Sequence, residues 1–296
     1  MLAVPLLAGF GMALASVHTP AAAHSAARPT PRVHAVPARI LLSSRPARPD
    51  RSTAPSTSTT STSTTIPLPG PPTVIDHGPT DRAAVALTFD SNLTDAMIKE
   101  LDEGRVASFD NVAVIDELEA MHVPATFFLA GLWMERYPDT TARLAADPLF
   151  ELGSHSYSHR AFHTPCYGLG ALPVDEMAAD VMHSFDVLRH FTDHPVPYFR
   201  FPGDCYDRTA LAAIAPTHLA VIGVDVASGD AFGTSVRAIV ATVLSQAHNG
   251  SIVVMHITGG NTAPLTADAL PDIVNGLRAR GYALVTVTDL LRPGTS

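Results

Sequence analysis

From Asp81 onward, strand-like and helix-like segments alternate about seven times, with short connections between them. Apolar runs such as 125–129 predict buried strands, and stretches of helical periodicity such as 112–122 predict the helices between them. Parallel strands joined by helical crossovers satisfy this alternation. About 215 residues of such units predict an α/β fold, a distorted (β/α) barrel of about seven parallel strands, rather than a doubly wound sheet.

The expected elements follow from these patterns and from the residues that flank them. Strands are predicted over 83–89, 125–129, 150–153, 198–201, 218–226, 251–255 and 282–287. Helices are predicted over 94–104, 112–122, 132–146, 174–192, 208–215, 234–248 and 266–280. The carboxyl ends of the strands are therefore expected to open onto one common face.

The first 80 residues differ in composition from the rest. Residues 1–23 are apolar, contain many small residues and end in an Ala triplet, which predicts a secretory signal peptide, or an N-terminal anchor if uncleaved. Residues 24–80 are proline-rich, and 12 of the 14 residues from 52 to 65 are Ser or Thr, which predicts a disordered linker. A folded domain is then expected at 81–296, in a protein that is secreted or associated with the cell wall.

Charge limits the partners of the folded region. Residues 81–296 carry 13 basic and 26 acidic side chains, a formal charge of −13. Because like charges oppose association, nucleic acid and other polyanions are not expected as partners, whereas neutral or cationic ligands are compatible. Contact with a membrane is expected only through an uncleaved N-terminal anchor.

Ionisable residues follow several of the predicted strands. They lie at or just past the ends of the first, third, fourth, fifth and sixth strands, and they are Asp90, His155, Arg200, Asp230 and His256, with Asp225 also after the fifth. Since parallel strands deliver their carboxyl ends to one mouth, we expect these side chains to converge there. This repetition at strand ends favours a chemical site over packing.

His155 and His159 are separated by four positions in His-Ser-Tyr-Ser-His. On a helical turn this spacing places both imidazoles on one face, about 6 Å apart, which suits a shared divalent metal. Two imidazoles alone hold zinc weakly, so a third ligand, normally a carboxylate, is expected.

The ordered motifs of the domain resemble those of polysaccharide deacetylases, the NodB-homology family known as carbohydrate esterase family 4. The motifs are Thr88-Phe89-Asp90, His155-x-x-x-His159, Arg200-x-Pro202, Asp230 and Met255-His256, and the resemblance spans about 83–287. It implies a distorted (β/α) barrel and a hydrolase that removes N-acetyl, or O-acetyl, groups from polysaccharides. Together with the N-terminal segment, it predicts an exported enzyme that acts on a cell-wall or extracellular polysaccharide. It also implies a divalent metal, with Zn²⁺ as the expected ion, and an acetylated glycan such as peptidoglycan or chitin as partner.

The same resemblance implies a role for each matching residue. Asp90 corresponds to the general base, Arg200 to the arginine that orients it, and His256 to the general acid. His155 and His159 correspond to the metal ligands, and Asp230 to an acid that pairs with the arginine. A backbone N–H near Gly203 is expected to help hold the oxyanion.

One position departs from the family pattern. The family's first motif usually has a second aspartate, its third metal ligand, where this chain has Ser91. Three alternatives follow: Asp90 shifts onto the metal, Asp204 substitutes, or the metal is weakly bound and activity is altered or lost. Because the acid, base and arginine remain, we expect an active hydrolase; the alternatives are a catalytically impaired glycan-binding relative and an amidase acting on a non-carbohydrate amide.

The chain has two cysteines, Cys166 and Cys205, which follow the histidine motif and Arg200. Both are expected in loops of the same mouth, and in an exported protein such a pair usually bonds. We therefore predict a Cys166–Cys205 disulfide.

Overall fold

The computed structural model describes residues 70–233 and 235–293. The predicted signal peptide or anchor at 1–23, and the linker up to residue 69, lie outside these residues. Within them, no helix combines the length and apolar character needed to span a membrane.

The described residues form one sheet of nine parallel strands covered by helices. The strands are β1 Val74–Ile75, β2 Ala84–Asp90, β3 Ala125–Leu129, β4 Phe150–Ser154, β5 Tyr198–Phe199, β6 Ala220–Ile222, β7 Val226–Ala227, β8 Ile252–His256 and β9 Ala283–Val285. The helices are α1 Asp95–Asp102, α2 Val112–Ala120, α3 Gly131–Arg136, α4 Pro138–Ala146, α5 Met177–Leu188, α6 Arg208–Ile214, α7 Val236–Gln246, α8 Thr266–Ala279 and α9 Val287–Leu291. Short 3₁₀ turns lie at Val174–Glu176, Pro202–Asp204 and Ala215–Thr217.

The strands run in the order β1-β6-β5-β4-β3-β2-β8-β7, with β9 beside β2. Strand β2 is central, and all seven of its residues are buried. One edge of β2 pairs with β8, and the other is shared by β9 at its start and β3 at its end. This curled parallel sheet confirms the predicted α/β fold with a distorted barrel, although it has nine strands where about seven were predicted.

Two predicted elements are divided in the structure. The helix predicted at 132–146 is interrupted at Tyr137, which has φ −123° and ψ 61°, and α4 starts with Pro138. Proline disfavours helical backbone in the residue before it but suits the first position of a helix. The strand predicted at 218–226 is split into β6 and β7 around Gly223, whose N–H donates to Ile75 O.

The sheet starts inside the range predicted as linker. Residues 74–75 form β1, which pairs with β6, and Gly78 N–H donates to Gly250 O at 2.8 Å. The expected domain boundary at residue 81 is therefore too late. The short, proline-flanked β1 is an edge strand that is ordered by its pairing with β6, which composition alone does not reveal.

Candidate active site

The carboxyl ends of β2, β4, β5 and β8 meet at one pocket of about 860 Å³. The sequence-predicted residues that line it are Asp90, His155, His159, Arg200, Gly203, Asp204, Asp230 and His256. Asp90 and His256 lie side by side because they are paired at the ends of the neighbouring strands β2 and β8. Asp225 is not among the residues that line this pocket. Its Oδ2 lies 3.2 Å from His248 Nε2 instead.

Arg200 is the buried partner of Asp90. Its side chain is 1% exposed, and Nη1 donates to Asp90 Oδ1 at 2.8 Å and to Thr88 Oγ1 at 2.7 Å. The other guanidinium N–H groups donate to the carbonyl oxygens of Ile222 and Gly223. The guanidinium therefore holds the carboxylate in one orientation, which is the contact that its predicted role requires.

His155 directs one ring nitrogen at the same carboxylate. Its Nδ1–H donates to Arg200 O at 3.0 Å, which leaves Nε2 3.6 Å from Asp90 Oδ2. Burial lowers the pKa of His155, so the ring is neutral near pH 7. A neutral Nε2 then presents a lone pair toward an anionic oxygen, and a cation between the two atoms would relieve their repulsion.

His159 completes a pair of neutral imidazoles. The His155 and His159 ring centroids are 5.0 Å apart. Burial, followed by the charges of neighbouring histidines, sets the pKa of His159 well below its ordinary value. Its Nδ1 is buried without a hydrogen-bond partner among the described residues. Two neutral imidazoles in this relation have the chemistry of metal ligands.

The local backbone of this pair differs from the prediction. Residues 155–159 form an irregular loop rather than a helical turn, with positive φ at Ser156 (67°) and His159 (51°). The Asp180 carboxylate of α5 accepts hydrogen bonds from the N–H groups of Tyr157 and Ser158. These donors are thereby satisfied outside a helix, and the loop turns both rings inward.

Asp230 pairs with His256 and not, as predicted, with Arg200. His256 Nδ1–H donates to Asp230 Oδ1 at 2.8 Å, and the His256 backbone N–H donates to Oδ2 at 2.8 Å. Burial by itself lowers the pKa of His256, but the charge and hydrogen bond of Asp230 raise it above the ordinary value overall. The pair is suited to holding a proton on His256.

Sequence reasoning missed the hydroxyl groups that complete this pair. Ser228 donates to Asp230 Oδ1 at 3.0 Å, and Thr266 donates to Asp230 Oδ2 at 2.7 Å. Ser228 lies two residues before Asp230, a common spacing for a local side-chain contact, but Thr266 comes from the start of α8 and carries no local signal. Burial by itself raises the pKa of Asp230, but His256 and the Thr266 hydroxyl lower it below the ordinary value overall.

Ser91, the residue that departs from the family pattern, has its side chain in the interior of the sheet. Ser91 is fully buried, and its Oγ accepts a hydrogen bond from Ala130 N–H at 2.9 Å. The next residue, Asn92, lines the pocket, and its Oδ1 is buried without a hydrogen-bond partner in the described part of the chain. Among residues 70–233 and 235–293, no three His, Cys, Asp or Glu side chains stand in metal-binding geometry.

Asp204 lines the same pocket from the 3₁₀ turn after Arg200. Burial raises its pKa to about 6, against the opposing effect of Arg200. Gly203 precedes it with φ +64°, and a Cβ at that position would lie 2.7 Å from Cys166 Sγ. Only glycine fits there without displacement.

Cys166 and Cys205 are brought together at the same mouth. Their Cα atoms are 6.0 Å apart, within the usual range for a disulfide. The contact joins the loop after the histidine motif to the loop after Arg200.

Comparisons with known proteins agree with this geometry. The sequence model of the polysaccharide deacetylase family matches residues 77–222. A peptidoglycan-N-acetylglucosamine deacetylase of Bacillus cereus is 30% identical over 183 residues, which cover 60% of this chain and 80% of that protein.

Two solved structures share the fold. A peptidoglycan N-acetylglucosamine deacetylase has a TM-score of 0.61 at 25% identity, covering 75% of this chain and 94% of the other. A Bacillus anthracis pseudoenzyme of carbohydrate esterase family 4 has a TM-score of 0.60 at 23% identity, covering 75% of this chain and 69% of the other, a likeness of fold alone. A mutant of that pseudoenzyme has restored enzymatic activity.

The matched motifs, the half-barrel and the residues gathered at its mouth lead to the same assignment. This chain belongs to the polysaccharide deacetylase family and is a hydrolase that acts on carbon–nitrogen bonds other than peptide bonds.

Proposed function

We propose that this protein is an exported, metal-dependent deacetylase that removes N-acetyl groups from a cell-wall polysaccharide. The observation that carries the proposal is the meeting of two ion pairs, Asp90–Arg200 and Asp230–His256, in one pocket with the neutral pair His155–His159. Such a set contains a base, an acid and two metal-ligating groups. Two of the similar proteins are peptidoglycan N-acetylglucosamine deacetylases, which favours that class of glycan.

Two imidazoles and nearby oxygen donors of the pocket would hold a divalent metal, although one carboxylate is missing. His155 Nε2 and the His159 ring would bind it, and Asp90 Oδ2 lies 3.6 Å from the first of these atoms. Asp204 and the unpartnered Asn92 Oδ1 are further oxygen donors at the pocket. The metal, with Zn²⁺ expected from the nitrogen ligands, would polarise the acetyl carbonyl and make water a better nucleophile.

The chain's own residues divide the proton transfers between them. Asp90, oriented by Arg200, accepts a proton from the attacking water. His256, kept protonated by Asp230, donates a proton to the departing sugar amine, which would otherwise be a poor leaving group. The backbone N–H near Gly203 stabilises the charge that develops on the acetyl oxygen.

Export is part of the proposal. It rests on the apolar N-terminal segment, the Ser/Thr-rich linker and a cell-wall substrate.

We also propose that Cys166 and Cys205 form a disulfide, worth about 3–4 kcal/mol for a loop of this length in the chain-entropy model. Two alkylatable thiols in the oxidised protein would contradict the disulfide.

Acetate release from acetylated chito-oligomers and from peptidoglycan tests the activity. We expect release by the metal-loaded protein, loss of most release after chelation, and recovery when Zn²⁺ is added back. His155→Ala should lower metal content and turnover together, because it removes a ligand. The exposed His194 provides the matched control, since His194→Ala should change neither quantity.

A second function is favoured by Ser91. Loss of a ligating carboxylate could leave a glycan-binding protein without turnover, and a fold neighbour of this family is a pseudoenzyme. Sugar binding without acetate release from any acetylated glycan would favour this alternative. Release from simple amides but not from glycans would instead indicate an amidase.

The Asp230–His256 pair predicts a change in pH dependence. Because Asp230 raises the pKa of His256, Asp230→Asn should lower that pKa and deprotonate the general acid at lower pH. We expect the alkaline limb of the kcat/KM profile to move to lower pH in the variant. An alkaline limb that does not move would remove His256 from the role of general acid.

A further inference from the structure

Two exposed aromatic rings meet at the rim of the active-site pocket. Tyr167 is 71% exposed and Phe232 is 72% exposed, the highest values among the large hydrophobic side chains of the described residues. Their ring centroids are 5.4 Å apart, the rings are inclined by 32°, and both residues line the pocket. We call Tyr167 and Phe232 the rim pair. Exposed aromatic surface of this kind marks a contact site more often than isolated apolar residues do.

Tyr167 packs against the loop that carries Gly203. It follows Cys166, has φ 45° and packs over Gly203, where an added Cβ would lie 3.1 Å from Tyr167 Cδ2. Its position therefore depends on the contact between the two cysteine-bearing loops.

Phe232 is held by the turn that also carries the catalytic pair. Its N–H donates to Gly229 O at 3.1 Å, and the preceding Ala231 N–H donates to Asp230 Oδ1 at 2.9 Å. Both rings are thus supported by backbone near the buried Arg200 and Asp230, while the rings themselves remain in solvent. This arrangement presents a preformed apolar surface.

We propose that the rim pair binds the apolar face of a sugar ring in the glycan chain, beside the residue that is deacetylated. This inference rests on the proposed function and deepens it by naming the part of the site that recognises the polymer. A pyranose ring has a flat face of C–H groups that packs on aromatic rings, while its hydroxyls remain free to form hydrogen bonds. Polar side chains that line the same pocket include Asp95, Ser158, Arg160 and Asp204.

A carbohydrate fits this surface better than a protein does. Stable protein interfaces bury about 800 Å² on each partner, far more than two rings provide. The rim pair also adjoins a concave pocket that already holds the hydrolytic residues, so a chain crossing the mouth contacts both. The pair should therefore contribute to binding of oligomers and not to cleavage of a small acetyl ester.

The test compares substrates of increasing length. Tyr167→Ala, Phe232→Ala and the double variant are assayed on acetylated chito-oligosaccharides of one to six sugars and on 4-nitrophenyl acetate. We expect the double variant to raise KM for long oligomers about tenfold, with kcat and turnover of the ester unchanged. Tyr167→Phe and Phe232→Tyr should keep the wild-type KM, because each retains a ring. Val174→Ala, at an exposed apolar position outside the pocket, is the control.

A binding measurement separates this inference from the proposed function. In the Asp90→Asn background, calorimetry with an acetylated chito-hexaose should give a Kd about tenfold higher when both rings are removed. Ring-dependent binding without acetate release by the wild-type protein would defeat the proposed function and support the rim pair. Unchanged KM and Kd in a folded double variant, with normal acetate release, would overturn the rim pair alone. A change in oligomeric state on light scattering, with glycan binding intact, would likewise overturn it in favour of self-association.

Discussion

Replacing Asp90 by asparagine is expected to lower kcat for deacetylation by about 10²–10⁴-fold, the contribution typical of a general base. Asparagine has nearly the same shape and can still accept the hydrogen bond from Arg200, so the fold should be retained, although loss of the buried ion pair should lower the free energy of unfolding. It cannot accept the proton of the attacking water. Steady-state acetate release, with circular dichroism to confirm folding, measures the effect.

The control for this change is another aspartate in an ion pair with arginine. Asp186 pairs with Arg189 at 2.8 Å, but its side chain is 68% exposed, so Asp186→Asn should leave kcat unchanged. Equal rates for wild-type protein and Asp90→Asn would remove Asp90 from the mechanism. Loss of metal in Asp90→Asn would favour the alternative in which Asp90 serves as a ligand in place of the missing carboxylate.

Truncating Arg200 to alanine is expected to lower the free energy of unfolding by about 3–5 kcal/mol, because it leaves the buried Asp90 carboxylate without its partner. The guanidinium also lies 4.2 Å from the centre of the Phe128 ring, so its removal leaves a cavity in a packed region. For a domain of this size the change corresponds to a fall in Tm of roughly 6–20 °C. Denaturant or thermal unfolding of the purified variant measures it.

Arg143 offers a matched control for this measurement. It pairs with Asp116 and Glu119 at 2.7 and 2.6 Å, but its side chain is 35% exposed. Arg143→Ala should therefore cost at most about 1 kcal/mol, because surface ion pairs are screened by solvent. Equal losses for the two variants would contradict the assignment of Arg200 as a buried organising residue. Turnover should fall in Arg200→Ala only.

Much of the fold could be predicted from local pattern. The apolar run at 125–129 is observed as β3 with the same bounds, and α8 at Thr266–Ala279 lies within one residue of its prediction. Buried strands and amphipathic helices carry strong local signals, since one continuous hydrophobic pattern determines each element. The missed elements, β1 and α9, are short and depend on contacts with strands far away in sequence.

The residues of the candidate site could be predicted for the same reason, but their partners could not. Parallel strands deliver their carboxyl ends to one face, so Asp90 and His256 were predicted at the same mouth; the pairing of β2 with β8 makes them direct neighbours. Which acid pairs with which base depends on the lateral order of strands. Asp230 follows β7, which lies beside β8, and it therefore reaches His256 rather than Arg200.

Sequence by itself determined the alternating α/β pattern, the acidic charge and the positions of the ionisable residues at strand ends. Only the tertiary structure decided that β5 curls far enough toward β2 for Arg200 to bind Asp90, although two strands, β4 and β3, lie between β5 and β2 in the sheet. It also decided that Asp180 holds the histidine loop out of a helix. Both outcomes come from the curvature of the sheet and from long-range hydrogen bonds, and neither has a counterpart in the periodicity of a local segment.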